Sequence, residues 1–305
     1  MDFLYLLEKI RVPVVNEFML GITYLGDEIA FLVVALILIW CADKRTGYYV
    51  LSVGFLGTIA NQFMKLWFRI PRPWVLDENF TILEQAREGA SGYSFPSGHT
   101  QSSVGTFGAI AYTTKHTLLR GLCIAAVVLV PCSRMYLGVH TPLDISVAAG
   151  IAAILVIVLK PIIVNNKKAC VFPIFLGIMV TAAIAFLCFV EFYTFPTDID
   201  PHNMESGLKN AYTLLGSILG MVTVYFADEK WLKFPTQAVW WAQVIKVAIG
   251  LTIVLAVKSG LKTPLEYVFG VLPARAVRYY LIVIVAGVIW PLTFKWFAKL
   301  GNRTE

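Results

Sequence analysis

Apolar runs long enough to cross a bilayer recur along the chain, separated by short polar connections. With roughly 20 apolar residues per helical crossing, the pattern predicts spans near 26–42, 47–68, 98–115, 119–138, 142–164, 171–193, 208–227, 238–257 and 277–298. The first of these is short in purely apolar residues. Ahead of it, "MDFLYLLEKIRVPVVNEF" carries acids early and lacks a basic start followed by a small-residue cleavage site. No cleaved signal peptide is expected there, and residues 3–20 read as an amphipathic segment lying in the interface. No repeat, low-complexity tract or soluble linker domain interrupts the series. The prediction is an all-α polytopic membrane protein of about nine transmembrane helices.

Composition sharpens this picture. At 58% hydrophobic and 14% charged residues, with mean hydropathy +0.73, a soluble domain is excluded. The net charge of +6 would suit nucleic acid, but the cations are scattered between apolar runs rather than gathered on one face. Nucleic acid is therefore not an expected partner, and the cations set orientation instead. Lys44 with Arg45, Lys115 with Arg120, Lys160 with Lys167 and Lys168, Lys230 with Lys233, and Lys299 with Arg303 share one side, read as cytoplasmic. The opposite side carries "DENFTILEQAREGASGYS" and "EFYTFPTDIDPHNME", and also Lys258, Lys262, Arg275 and Arg278, which run against the rule. The N-terminus then lies outside and the C-terminus inside. Cys41, Cys123, Cys132, Cys170 and Cys188 show no close pairing, so neither a disulfide framework nor a zinc site is expected.

Three polar clusters fall on the non-cytoplasmic side. In "KLWFRIPRP", Lys65 ends the second span and Arg72 follows after six residues, where Pro71 and Pro73 stop the helix. Either cation alone could be a snorkelling interfacial side chain. In "PSGH", Ser97 is placed to cap the third span, with Gly98 and His99 in its first turn. Free N–H groups, a positive dipole end and a glycine suit an anion, although an ordinary cap reads the same way. In "SRMYLGVHTPLD", Ser133 and Arg134 end the fourth span and His140 precedes the fifth. Asp144 completes a capping-box pattern with Thr141, and one turn beyond His140 it is also placed to hold the imidazole. Three cations, two histidines, a carboxylate and a glycine-bearing helix start are what phosphoryl transfer needs. His116 and His202 read as solvated bystanders. Trp67, Phe68, Trp74 and Tyr93 read either as an interfacial belt or as the rim of a mouth, and the loop from Pro73 to Pro96 as a substrate lid.

The ordered motifs "KLWFRIPRP", "PSGH" and "SRMYLGVHTPLD" resemble the type 2 phosphatidic acid phosphatase superfamily, with every motif residue present. The resemblance implies a phosphatase core over the first five spans, residues 26–164, after a segment 1–25 and before a transmembrane extension 165–305. It implies that His140 is the nucleophile, forming a phosphohistidine, that His99 is the general acid, and that Asp144 orients His140. Lys65, Arg72, Ser97, Gly98 and Arg134 would bind the phosphate. Pro73 and Pro96 would shape the loops, and Ser133 belongs to the motif. No cofactor and no metal are implied. The nine-span plan is similar to membrane glucose-6-phosphatases, and "SRMYLGVHTPLD" is similar to the same motif in sphingosine-phosphate phosphatases. Neither likeness names the alcohol.

The activity so implied is metal-independent hydrolysis of a phosphomonoester or pyrophosphate, most naturally of a lipid, on the non-cytoplasmic side. Two other classes stay open: a lipid phosphotransferase using the same intermediate, and a non-catalytic lipid-binding or transport protein. The partners expected are a lipid phosphate and the bilayer, with the oligomeric state open. The location expected is a bacterial plasma membrane, or an internal membrane in a eukaryote.

Overall fold

The computed structural model describes residues 1–300 apart from 88, 91, 167 and 198. Lys167 and Arg303, counted above as cytoplasmic, lie outside the described residues, as do Glu88, Ser91 and Asp198, counted above on the opposite side. Among the described residues the regular structure is helical: α1 (Asp2–Lys9), α2 (Pro13–Thr23), α3 (Glu28–Cys41), α4 (Lys44–Phe68), α5 (Pro73–Leu76), α6 (Gly98–Thr113), α7 (Thr117–Tyr136), α8 (Pro142–Lys160), α9 (Val171–Phe192), α10 (Pro201–Ala227), α11 (Trp240–Gly260), α12 (Lys262–Phe269), α13 (Val271–Ile284) and α14 (Phe294–Phe297).

Among the described residues, six helices could cross a membrane by length and composition, or seven if the bent pair Pro13–Gly26 and Glu28–Cys41 is one span. The nine predicted spans all have a helix at their place, yet this measure does not reach nine crossings. The reason is chemical. Helix α6 is only 16 residues long, and α4 carries Lys44, Arg45, Asn61 and Lys65 along its length, so neither reads as a purely apolar rod.

The chain divides into two compact units. The first comprises Met1–Val34, Tyr49–Lys167 and Thr194–Gly207, and the second Ala35–Tyr48, Lys168–Tyr193 and Leu208–Glu305. In the first unit α6 packs against α7 and α8. Pro142 opens α8 behind a complete capping box: Thr141 Oγ1 accepts from the Asp144 N–H, and Asp144 Oδ2 accepts from the Thr141 N–H at 2.8 Å.

The segment 1–25, expected to lie in the interface, forms α1 and α2, and both grip loops of the first unit. Tyr5 donates to Asp77 Oδ2 at 2.8 Å, and Arg11 donates to the backbone oxygens of Thr81 and Tyr136 at 2.8 and 3.0 Å. Leu20 joins Ala86, Ala90, Tyr136, Leu137 and Val139 in a small apolar cluster against which Trp74 packs. The Pro73–Pro96 loop is thus tied to the α7–α8 turn by burial and by hydrogen bonds.

In the second unit a buried lysine replaces a helix cap. Lys246 Nζ donates to Trp40 O at 2.8 Å and Thr236 O at 3.1 Å, and lies 4.5 Å from the centre of the Phe294 ring. The α3 carbonyl at Trp40 is one of the four that a helix end leaves without an intrahelical donor.

Candidate active site

The predicted motif residues meet at one end of four helices in the first unit. Lys65 comes from the last turn of α4, Ser97 to His99 from the start of α6, Arg134 from the last turn of α7, and His140 to Asp144 from the entry to α8. Short turns join α6 to α7 and α7 to α8, while the long loop after α4 returns the chain to the start of α6. Lys65, Arg72, Ser97, Arg134, His140 and Asp144 are all buried.

His140 is the centre of the best-connected group. Arg72 Nη1 lies 2.9 Å from His140 Nε2, and an arginine can only donate, so Nε2 carries the lone pair. The ring proton then sits on Nδ1. That nitrogen faces Asp144 Oδ2 and Ser94 Oγ, each at 3.4 Å. Ser94 in turn donates to Asp144 Oδ2 at 2.6 Å. The carboxylate therefore caps α8 and faces the imidazole at once. His140 lies in the loop between α7 and α8, where burial first, then the charges of Arg72, Arg134 and Lys65, hold its pKa well below the usual histidine range. It is a neutral imidazole with its free lone pair toward the cations.

The cations are held by backbone oxygens of the Pro73–Pro96 loop and of the α7–α8 turn. Lys65 donates to Tyr93 O, Arg72 to Gly92 O at 3.0 Å and Val139 O at 2.9 Å, and Arg134 to Gly89 O at 3.3 Å. Gly92 adopts a positive φ of 74°, which a side chain at that position would oppose. Ser97 caps α6 by accepting from the Thr100 N–H at 3.4 Å. A Cβ added at Gly98 would meet only Asn61 Oδ1, at 3.9 Å, so packing does not require glycine there. Ser133 is turned into its own helix, donating to Val130 O at 2.7 Å.

His99 lies on the α6 side, with Nε2 at 2.8 Å from Asp27 Oδ1. Asp27 was not singled out in the sequence, nor was Thr23, which accepts from Arg134 Nη1 at 2.9 Å. Ser94 and Asn61 were also passed over. Asn61 precedes Lys65 by one helical turn and donates to Pro96 O at 3.2 Å; that i, i+4 spacing was the available signal. Ser94 stands three residues before Ser97, inside the same short polar stretch. Of the two bystanders, His116 is exposed and caps α7, its Nδ1 accepting from the Leu119 N–H at 3.3 Å, and His202 is exposed. Trp74 serves packing, whereas Trp67 and Phe68 are exposed, with Phe68 set edge-on against Phe95.

A model described as the PAP2 superfamily matches residues 45–168, and one described as PAP2 superfamily phosphatase, transmembrane extension, matches residues 212–303. Phosphatidylglycerophosphatase B of Bacillus subtilis (strain 168) is 32% identical over 150 residues, which is 45% of this chain and 69% of that relative. The crystal structure of the first transmembrane PAP2 type phosphatidylglycerolphosphate phosphatase from Bacillus subtilis aligns with 55% of this chain and 86% of its own, at 27% identity and a TM-score of 0.45. The family matches and the apolar helices together define an integral membrane phosphatase. The chain belongs to the PAP2 superfamily.

Proposed function

We propose that this membrane phosphatase hydrolyses the phosphomonoester of a glycerophospholipid through a phosphohistidine on His140, without a metal, on the non-cytoplasmic side. The observation that carries the reading is the His140 ring: its Nε2 lone pair faces Arg72 while Nδ1 faces Asp144. The lipid class is taken from the Bacillus subtilis relative, whose name is phosphatidylglycerophosphatase B. The side is supported by the basic residues at the far ends of the same helices, Lys44 and Arg45 in the first turn of α4 and Lys160 closing α8.

In the first step His140 Nε2 attacks phosphorus, the bond from phosphorus to the lipid oxygen breaks, and a proton from His99 goes to that oxygen. In the second, water attacks phosphorus, the N–P bond breaks, and the water proton returns to His99. The sum is one phosphomonoester and one water giving one alcohol and one phosphate. Lys65, Arg72 and Arg134 exchange loop carbonyls for phosphate oxygens, and their charge stabilises the transferring group. Arg72 must leave Nε2 for the phosphate before that lone pair is free, so binding and activation are one event. Asp144 with Ser94 holds the Nδ1 proton, which fixes the reactive tautomer.

The test is phosphate release by purified protein in chelator. The panel is phosphatidylglycerol phosphate, phosphatidate, a sphingoid-base phosphate, polyprenyl phosphate and glucose 6-phosphate. Release should persist in chelator, favour a glycerophospholipid, and fall by on the order of 10³-fold in His140→Ala. Full turnover in His140→Ala would overturn the mechanism. Phosphate appearing on a second lipid instead of in solution would make the protein a phosphotransferase.

A further inference from the structure

The turn between α2 and α3 touches the site at three places within five residues. Thr23 Oγ1 accepts from Arg134 Nη1 at 2.9 Å, and Asp27 Oδ1 lies 2.8 Å from His99 Nε2. Between them Gly26 presses against the start of α6. A Cβ there would stand 2.9 Å from the Cβ and the backbone oxygen of His99 and from Val130 Cγ1. Only a glycine lets the chain approach so closely, and that approach brings the next side chain to the ring.

We propose that Asp27 is a positioning residue for His99: it accepts the Nε2–H, fixes the tautomer, and leaves Nδ1 as the atom that gives and takes the reaction proton. The site then holds two histidine–carboxylate pairs of opposite polarity. In His140 the carboxylate faces Nδ1 and Nε2 does the work, whereas in His99 the carboxylate faces Nε2 and Nδ1 does it. The pairing has a physical purpose on the acid side. A general acid must carry a second ring proton, and a carboxylate 2.8 Å from Nε2 is placed to favour that protonated ring over what Arg72 and Arg134 alone would allow.

Asp27 also stands immediately before α3, where an aspartate often caps a helix. Its backbone oxygen accepts from the Phe31 N–H at 3.1 Å. The two roles separate under substitution, because Asn caps a helix about as well as Asp but carries no charge.

The inference rests on the reading of His99 as the proton carrier. It is tested by kinetics of wild type, His99→Asn, Asp27→Asn and the double variant, on a lipid alkyl phosphate and on 4-nitrophenyl phosphate, whose aryl oxygen leaves without a proton. The readout is kcat/KM, which reports the first step alone, since the second step is common to both substrates. For Asp27→Asn, kcat/KM on the alkyl substrate should fall about 10- to 100-fold, less than the ~10²–10⁴-fold of a lost general acid, and on the aryl substrate it should change by less than about threefold. The double variant should be no slower than His99→Asn, since both changes remove one function. Asp27→Glu should recover part of the alkyl rate.

Equal losses on the two substrates, or losses that multiply in the double variant, would show that Asp27 only holds α3, and the proposal falls alone. If His99→Asn itself shows no difference between the substrates, the acid assignment falls and takes Asp27 with it.

Discussion

Arg72 shows how one side chain couples recognition to reactivity. Its guanidinium reaches Gly92 O, Val139 O and His140 Nε2, three acceptors in different directions. A lysine offers one point of charge and cannot span them. Arg72→Lys should therefore lower kcat/KM by on the order of 10²-fold, with both kcat and KM affected, measured on the preferred lipid. Ser94 is a finer probe. Removing its hydroxyl leaves Asp144 with one fewer charge-assisted bond, and Ser94→Ala should reduce kcat by about tenfold at unchanged KM. His140 makes a stability prediction. Folded, it stays neutral; unfolded, it takes a proton near its ordinary pKa of about 6.5. Below that pH the unfolded chain binds more protons, so stability falls as the pH drops from about 7 to about 5. Tm in detergent should show this fall, and His140→Gln should show less of it; identical pH slopes would refute the neutral imidazole.

Element ends, rather than element interiors, build the site, and two glycines at such ends predict opposite outcomes. At Gly26 an added methyl collides with the backbone oxygen of His99, and the neighbouring chain cannot yield cheaply. Gly26→Ala should cost about 1–3 kcal/mol of stability, seen as a lower Tm. At Gly98 an added methyl meets only an ordinary contact with Asn61. Gly98→Ala should leave Tm nearly unchanged yet raise KM severalfold, because the methyl enters the space in front of the α6 N–H groups proposed to bind phosphate. A large Tm loss there would mean that the glycine serves packing instead. The helix starts were legible from the chain: Ser97, and Thr141 with Pro142 and Asp144, announce α6 and α8 by local chemistry. The boundary between α2 and α3 was legible too, with the first span placed from residue 26, but the 54° bend carried by Tyr24–Gly26 was not, since no proline marks it.

The whole molecule reads as two compact units, and stability and chemistry can be probed separately in them. Lys246 in the second unit is fully buried on backbone oxygens. Lys246→Ala would leave the buried Trp40 carbonyl without its donor at about 1–3 kcal/mol, while Thr236 O keeps the Gln243 Nε2 donor at 2.9 Å; the expected outcome is a fall in Tm with KM unmoved. Read alone, the chain determines the helical membrane class, the positions of the long helices and the order of the motif residues. Those properties are local: apolar runs, caps and fixed spacings are carried by residues close together in sequence. Tertiary structure alone decided that Asp27 meets His99, that Thr23 meets Arg134, and that Ser94 joins His140 to Asp144. These partners stand up to 111 residues apart, no periodicity links them, and only the packing of helix ends brings a carboxylate on one turn to an imidazole on another.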